Sequence, residues 1–330
     1  MTLTPPVLLA PLAGITDLPF RRVVARFGAG LVVSEMVASQ EIVQGKPSAR
    51  DRAELGLGEA ATAVQLAGRD PYWMAEAAKL VEGQGARVID INMGCPAKKV
   101  TSTSGAGACG SGLLREPDLA LRLIEAVVGA VSVPVTLKTR LGWDAALLNA
   151  PEIAARAEAA GVRMVTIHGR TRCQFYKGAA DWAAIAATKA AVSIPVVANG
   201  DITDATTARA ALGASGADGV MVGRGAQGRP WRLAQIAHAL FGAPAPAVPA
   251  ARTDLVAAHY DAILSFYGTA LGTRIARKHL GWYLDAAVAD GAACAETVRA
   301  LRRPVLTSEE PRTVLSLLAR ALSGPARAAA

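Results

Sequence analysis

Cysteine is scarce in this chain and scattered. The 330 residues hold four, Cys95, Cys109, Cys173 and Cys294, and no two stand at the spacing of a zinc knuckle or a C-x-x-C redox pair. Disulfides are therefore excluded as a source of stability, and the expected setting is the reducing cytoplasm. Charged residues are few, 19% against 52% hydrophobic, yet no apolar run reaches membrane-spanning length without a charge or a proline, so no membrane partner is expected. The N-terminus has no basic segment leading into an apolar stretch, so no signal peptide is expected. Also missing are a G-x-G-x-x-G behind a strand and a G-x-x-x-x-G-K-[ST] loop, which disfavours a dinucleotide fold and a P-loop. Asp90-Ile91-Asn92 lacks the companion carboxylate or histidine cluster of a metal site, so no metal is expected.

What is present is size and positive charge. The length suits one large α/β domain plus an addition, with a core that needs no staples. The formal net charge of +8 favours an anionic partner, nucleic acid first among them, with plain solubility as the competing reading.

Eight short apolar runs recur, at 7–10, 31–33, 63–66, 88–91, 134–137, 164–167, 195–198 and 219–222. Stretches of helical spacing lie between and after them, at 72–82, 117–128, 151–160, 182–192, 204–212 and 231–241. Strands apolar throughout that alternate with amphipathic helices are parallel strands covered by helices. Eight such units predict an α/β fold, a TIM (β/α)8 barrel, with a doubly wound open sheet as the alternative. Residues 1–241 would form the barrel and the Pro/Ala-rich 242–251 a linker. The rest, 252–330, reads as a small helical bundle with helices at 254–267, 273–287, 293–301 and 311–322, and 324–330 as a frayed tail. Arg274, Arg277 and Lys278 share one helix face, which reads equally as a phosphate-binding face or a solvated one.

In a TIM barrel the C-terminal ends of the strands face the active site. The residues at and just past the ends of the eight runs are Pro11-Leu12-Ala13-Gly14, Ser34-Glu35, Gln65, Asn92 with Cys95, Lys138 with Arg140, His168-Gly169-Arg170, Asn199-Gly200-Asp201 and Gly223-Arg224-Gly225. Taken alone, Cys95 in its Gly94/Pro96 turn reads equally as a reactive thiol or a structural one. The convergence of polar groups favours chemistry. Asn199-Gly200-Asp201 and Gly223-Arg224-Gly225 have the small residues and fixed cation that suit a phosphate at the seventh and eighth loops. A flavin mononucleotide fits what remains. Lys138 would neutralise the negative charge of a reduced ring, Gln65 would both donate to and accept from its pyrimidine edge, and His168 would hold the ring or a substrate carbonyl. A thiol in water is mostly protonated at neutral pH. Cys95 would thus supply a proton beside a flavin hydride, and together they would reduce an activated C=C bond.

Several long motifs carry a resemblance. They are Pro11-Leu12-Ala13-Gly14-Ile15-Thr16-Asp17, Asn92-Met93-Gly94-Cys95-Pro96-Ala97-Lys98-Lys99-Val100, His168-Gly169-Arg170-Thr171, Asn199-Gly200-Asp201-Ile202 and Ala226-Gln227-Gly228-Arg229-Pro230-Trp231. With Arg274-Ile275-Ala276-Arg277-Lys278-His279, the chain resembles the FMN-dependent tRNA-dihydrouridine synthases over nearly its whole length, and most of all their bacterial B subfamily. The resemblance implies NADPH (or NADH) as reductant, hydride transfer to uracil C6 and protonation of C5 by Cys95. It implies FMN contacts from Pro11, Leu12, Ala13, Gln65, Lys138, His168, Asn199, Gly200, Asp201, Gly223 and Arg224. It also implies substrate contacts from Asn92 and Arg170 in the barrel and from Arg274, Arg277 and Lys278 in the bundle, on a tRNA whose target base leaves its stack. A monomer is expected.

One segment departs from the pattern. Residues 101–112 form a Gly/Ser-rich loop longer than expected, which brings Cys109 near Cys95 in sequence; Cys109 reads as a bystander. Two rival functions stand beside the main one. The first is an FMN barrel that reduces a free small molecule such as a pyrimidine, and the second is a non-catalytic tRNA-binding protein.

Overall fold

The computed structural model describes residues 3–56, 62–102 and 108–323. Eight strands, β1 Val7–Leu9, β2 Leu31–Ala38, β3 Thr62–Ala67, β4 Val88–Met93, β5 Val135–Arg140, β6 Val165–His168, β7 Val196–Asn199 and β8 Gly219–Val222, form a closed barrel. Each strand pairs in parallel with the next, and β8 returns to β1 with Leu8 opposite Met221. That closure excludes the open sheet and bears out the barrel expectation.

The helices begin where local chemistry starts them. Asp70 accepts from the Tyr72 N–H ahead of Pro71–Gly83, Asp17 caps Leu18–Arg26 through the Phe20 N–H, and Asp204 with Thr207 forms a capping box on Ala205–Ser215. The stretch expected as one helix over 182–192 is a 3-10 turn, Ala183–Ile185, running into Ala186–Ala191.

Side chains alternate along a strand, so every second residue faces the barrel axis. Leu8, Ala10, Leu31, Val33, Ala63, Val88, Met164, Val197 and Met221 make an apolar cluster inside it. Two residues further along the same strands the inward positions turn polar: Gln65 after Ala63, Asp90 after Val88, Thr166 after Met164 and Asn199 after Val197. Here the strands outrun the apolar runs. β3 continues to Ala67, β4 to Met93, β5 to Arg140, and β6 and β7 include His168 and Asn199. Backbone pairing with the neighbouring strand carries each element past the point where its hydrophobic pattern stops. β2 is irregular between Val33 and Met36, where the Ser34 hydroxyl accepts the Gln65 N–H at 3.0 Å and donates to the Glu35 carbonyl at 2.8 Å.

The chain divides into two compact units. One holds the barrel up to Gly225 together with Leu233–Ala245; the other holds Ala226–Arg232 and the chain from Pro246 onward. Composition alone sets the division at 242–251, but the segment just after β8 already packs with the second unit. Arg229 bonds Asp290 at 2.7 Å, Arg252 reaches the same carboxylate at 2.8 Å, and the Arg252 guanidinium lies 4.8 Å from the Trp231 ring centroid. These partners are far apart in sequence, so composition does not reveal them.

The second unit is built on Thr253–Tyr267, Thr269–Ala289, Ala295–Thr307 and Pro311–Leu322. Its core includes Val256, Tyr260, Ile263, Leu280, Tyr283, Leu284, Val314 and Leu318. The expected frayed tail, and residues 103–107 of the expected long loop, lie outside the described residues.

Candidate active site

The turn after β4 is the best-braced feature of the barrel mouth. Cys95 is half-buried, and the peptide groups on either side of it are held by side chains. The Asn92 amide oxygen accepts the N–H groups of Gly94 at 3.2 Å and Cys95 at 3.0 Å. The Cys95 carbonyl accepts from the Ser111 N–H at 3.1 Å and hydroxyl at 2.8 Å, and Arg140 Nε donates to the Gly94 carbonyl at 2.8 Å. Gly110, at φ +56°, passes so close that a Cβ there would lie 3.2 Å from the Cys95 Cβ. Burial pushes the neighbouring Cys109 thiol up, and the proximity of Cys95 adds to that shift.

Beneath the turn runs a buried polar layer. Gln65, Asp90 and Thr136 are register partners across β3, β4 and β5. Gln65 Nε2 donates to Asp90 Oδ2 at 2.7 Å, Thr136 Oγ1 donates to Asp90 Oδ1 at 2.6 Å, and Asn92 Nδ2 donates to Gln65 Oε1 at 2.6 Å. Burial raises the Asp90 pKa, opposed by the Thr136 and Gln65 hydrogen bonds.

The other side of the mouth is cationic. Burial lowers Lys138 to about 8, helped by Arg140 and opposed by Asp90. Burial also brings Arg140 down to about 10, and its Nη1 donates to the Thr171 and Phe175 carbonyls, both at 2.9 Å. His168 falls to about 2, first through burial and then through Lys138, Arg140, Arg170 and Arg224. It is therefore neutral at any working pH. Arg170 Nη1 lies 3.3 Å from His168 Nε2. A guanidinium only donates, so Nε2 is the accepting nitrogen and Nδ1 carries the hydrogen.

Arg170, which is expected to contact the substrate, lies just past the end of β6. Its guanidinium is buried and donates to Asp201 at 3.0 Å, to the Lys177 carbonyl at 3.2 Å and to the Gly178 carbonyl at 2.6 Å. It fastens the loop after β6 to the end of β7. Asp201 also accepts the Ala180 N–H at 2.8 Å, and Arg224 stands 3.4 Å from it. Gly200, at φ +112°, has no room for a side chain, since a Cβ would lie 3.1 Å from His168 Cδ2 and 2.8 Å from Ala180 Cβ.

The structure gathers Gln65, Asn92, Cys95, Lys138, His168, Asn199, Gly200, Asp201, Gly223 and Arg224 at the C-terminal ends of the strands. Pro11, Leu12 and Ala13 follow β1 there, in a loop whose Gly14 N–H bonds the Glu35 carboxylate. Leu12 Cδ2 would meet a Gly223 Cβ at 3.6 Å, an ordinary contact. Arg274, Arg277 and Lys278 belong to the second unit, on Thr269–Ala289. Arg274 is exposed, the other two are half-buried, and Arg277 has a loose 3.9 Å pairing with Glu309.

Sequence reasoning missed the roles of four residues. Asp90 and Arg140 are buried; cross-strand register shows what Asp90 holds, and only the fold brings the Gly94, Thr171 and Phe175 carbonyls to Arg140. Phe175 takes φ 54°, uncommon for a residue with a side chain, and leads into Tyr176, which is 55% exposed. The Tyr176 ring centroid is 5.5 Å from the Arg140 guanidinium, 5.4 Å from that of Arg224 and 6.3 Å from the His168 ring. No sequence signal marks it. Among the described residues no cluster of His, Cys, Asp or Glu forms a metal site, and no helix is long and apolar enough to cross a membrane.

Comparison with known proteins adds independent findings. Among solved structures, the chain overlaps a nitroalkane oxidase from Streptomyces ansochromogenes at TM-score 0.40 and 19% identity, over 68% of this chain and 67% of that one. Among curated proteins, it is 64% identical to a probable tRNA-dihydrouridine synthase of Rhodobacter capsulatus, over 98% of this chain and 96% of that protein. It is 48% identical to tRNA-dihydrouridine synthase B of Vibrio cholerae, over 84% of this chain and 86% of that protein. The family model described as dihydrouridine synthase matches residues 8–317. A match of that extent covers the barrel and the helical unit alike, and the chain belongs to the dihydrouridine synthase family.

Proposed function

We propose that this protein is a tRNA-dihydrouridine synthase that reduces the C5–C6 double bond of a uridine in tRNA, with FMN as the bound carrier and NADPH (or NADH) as reductant. The observation that carries the reading is the braced Cys95 turn standing at the mouth of a closed barrel beside a cluster of cations.

The donor set at the mouth fits FMN. Lys138, Arg140, Arg170 and Arg224 all act on His168, with Asp90 and Asp201 as the neighbouring carboxylates. Such an excess of cations suits an anionic occupant. Gln65 keeps one N–H and one lone pair beyond its bonds to Asp90 and Asn92, enough for a pyrimidine edge. Gly200, Gly223 and Arg224 would hold the phosphate end, Pro11, Leu12 and Ala13 the ring from β1's side, and Asn199 with Asp201 the chain between. When bound, FMN supplies the hydride for uracil C6.

The chain's own residues do the rest. Cys95 places its thiol proton at C5, held by a turn that does not have to reorganise. Lys138, charged below about pH 8, holds negative charge beside the ring. Neutral His168 presents Nδ1–H as a donor. Asn92 keeps one N–H beyond its bond to Gln65, free to seat the uracil. Arg274, Arg277 and Lys278 would bind tRNA phosphates, a sequence-independent and salt-sensitive contribution.

Nucleoside mass spectrometry of unmodified tRNA incubated with the protein and NADPH tests the reading. A uridine that gains two hydrogens is the expected result. No gain from a yellow protein that still oxidises NADPH would move the assignment to a small-molecule reductase.

A further inference from the structure

The Cys95 turn is held from inside the barrel, and we infer that Asp90 is a positioning residue for Cys95, acting through Gln65 and Asn92. The directions of the hydrogen bonds force one another. Gly94 and Cys95 both present N–H groups, so the Asn92 amide must turn its oxygen to them, at 3.2 and 3.0 Å. Its nitrogen then faces Gln65, which must answer with oxygen, at 2.6 Å. The Gln65 nitrogen is left facing position 90 and requires an acceptor, which Asp90 Oδ2 provides at 2.7 Å. The second carboxylate oxygen is occupied by the Thr136 hydroxyl at 2.6 Å, which fixes the carboxylate in its plane. One buried acceptor at the start of the relay thus decides which way two amides point, and the second amide decides whether the turn is bound.

Gln65, Asp90 and Asn92 are all buried, and Gln65 is 1% exposed. An amide turned the wrong way in such a layer opposes its neighbour and loses its bonds. Asp90 touches neither Cys95 nor the turn, so its influence on the thiol is transmitted and not direct.

Running the relay backwards tests it, with isosteric substitutions throughout. In Asp90→Asn the new amide oxygen still accepts from Gln65, its nitrogen donates to Thr136, and the Thr136 hydroxyl rotates to accept. The relay survives. In Asn92→Asp two carboxylates flank Gln65, which satisfies one and opposes the other. The carboxylate at 92 still accepts from the Gly94 and Cys95 N–H groups, but the opposed oxygens push it away from Gln65 and unseat the turn it holds. In the double variant Asp90→Asn with Asn92→Asp the relay is reversed but complete: Asn at 90 donates to Gln65, Gln65 donates to Asp at 92, and that carboxylate accepts from Gly94 and Cys95.

The readout is the rate at which iodoacetamide alkylates Cys95, followed by peptide mass spectrometry, with the exposed Cys173 as internal reference. Asp90→Asn is expected within twofold of wild type and Asn92→Asp at least tenfold faster, with the double variant back within threefold. An unchanged rate in Asn92→Asp, or a double variant as reactive as Asn92→Asp, would overturn the inference. If Asn92→Asp does not fold while the double variant does, the rescue stands in another form; a double variant that fails where Asp90→Asn folds refutes it. Asp90 has a role in the proposed reaction only if the synthase reading holds, but alkylation needs neither tRNA nor NADPH. Loss of the synthase reading would leave the alkylation pattern intact, and loss of the pattern would leave the reading intact.

Discussion

The barrel mouth and the helical unit both bury histidine, and they do so differently. His259 is pushed to about 3 by burial alone. It lies in an apolar core, with Nδ1 3.0 Å from the Tyr283 hydroxyl and its ring 5.0 Å from that of His279, which is also held well below its usual value, first by burial. His168 falls to about 2 through burial first, and four cations add to the shift. The helical unit excludes charge from its core, whereas the mouth concentrates it. Lys138 carries a cost of the same kind. Its folded pKa of about 8 lies below the ordinary lysine value of 10.5, so burial of its charge weakens the fold below pH 8, and the penalty is relieved as pH rises from 8 towards 10.5. A core selected for packing alone would not keep such a group. The contrast teaches that stored electrostatic cost marks the reacting region, while equally buried titratable groups elsewhere are packing.

The sharpest way to break that contrast is at Cys95. Cys95→Ala is expected to lower dihydrouridine formation by about 10²–10⁴-fold, the range for loss of a positioned acid. NADPH oxidation by the bound flavin should stay within twofold. Turnover near the wild-type level would remove the thiol from the chemistry and leave the mouth a binding site only. Next in size is Arg170→Met, which strips a buried guanidinium from Asp201 and from two carbonyls. It should cost about 3 kcal/mol of stability by denaturant titration, as for a broken buried pair. A loss below about 1 kcal/mol would mean that Arg170 does not hold the loop after β6.

The helical unit supplies the opposite test. The folded pKa of His259, about 3, lies below the ordinary histidine value of 6.5. Above pH 6.5 both states are neutral and pH has no effect. Below it the unfolded chain takes up a proton that the folded one refuses, so stability falls as the pH is lowered towards 3, by about 1.4 kcal/mol per pH unit for one such group. Hydrogen exchange over Thr253–Tyr267 should therefore speed up between about pH 6.5 and 5, after correction for intrinsic rates. His259→Gln keeps a partner for Tyr283 and should reduce that dependence to the share left by His279, which is also held well below its usual value; an equal slope in the variant would place its origin elsewhere. At the mouth, Lys138 gives an alkaline counterpart. The tRNA-dependent oxidation of reduced enzyme should fall above about pH 8, and Lys138→Arg should move that fall upward. A limb that stays in place in the variant belongs to another group.

The two regions are also unequally legible in the sequence. The barrel is readable from eight apolar runs and the helices between them, and the mouth from polar residues at the ends of those runs. Lys138, His168 and Asn199 can be named because each ends a hydrophobic segment. Asp90 escapes notice because it sits one residue inside such a segment, where a lone carboxylate suggests only an absent metal site. Its meaning lies in the register that sets it beside Gln65 and Thr136, residues 25 and 46 positions away. Arg170 is legible in position alone: a motif gives its place, and only the fold shows that Lys177, Gly178 and Asp201 bond the guanidinium. In the helical unit the face of Arg274, Arg277 and Lys278 is legible as a face, since helical spacing alone defines it, but its use is not.

That face gives the smallest expected effect and separates two meanings of exposed charge. Arg277 has only a 3.9 Å pairing with Glu309, itself largely exposed, so the pair adds little to stability. If the face binds phosphates, Arg277→Glu should weaken tRNA binding by several-fold, equally for tRNAs of different sequence, and should reduce the slope of log Kd against log salt by about one. Melting temperature and NADPH oxidation should not move. A drop in tRNA affinity with the salt slope unchanged would mean that the substitution disturbs the helix and not a phosphate contact. Unchanged affinity would make the face a solvated one, and the cations of the barrel mouth would then have to account for tRNA binding.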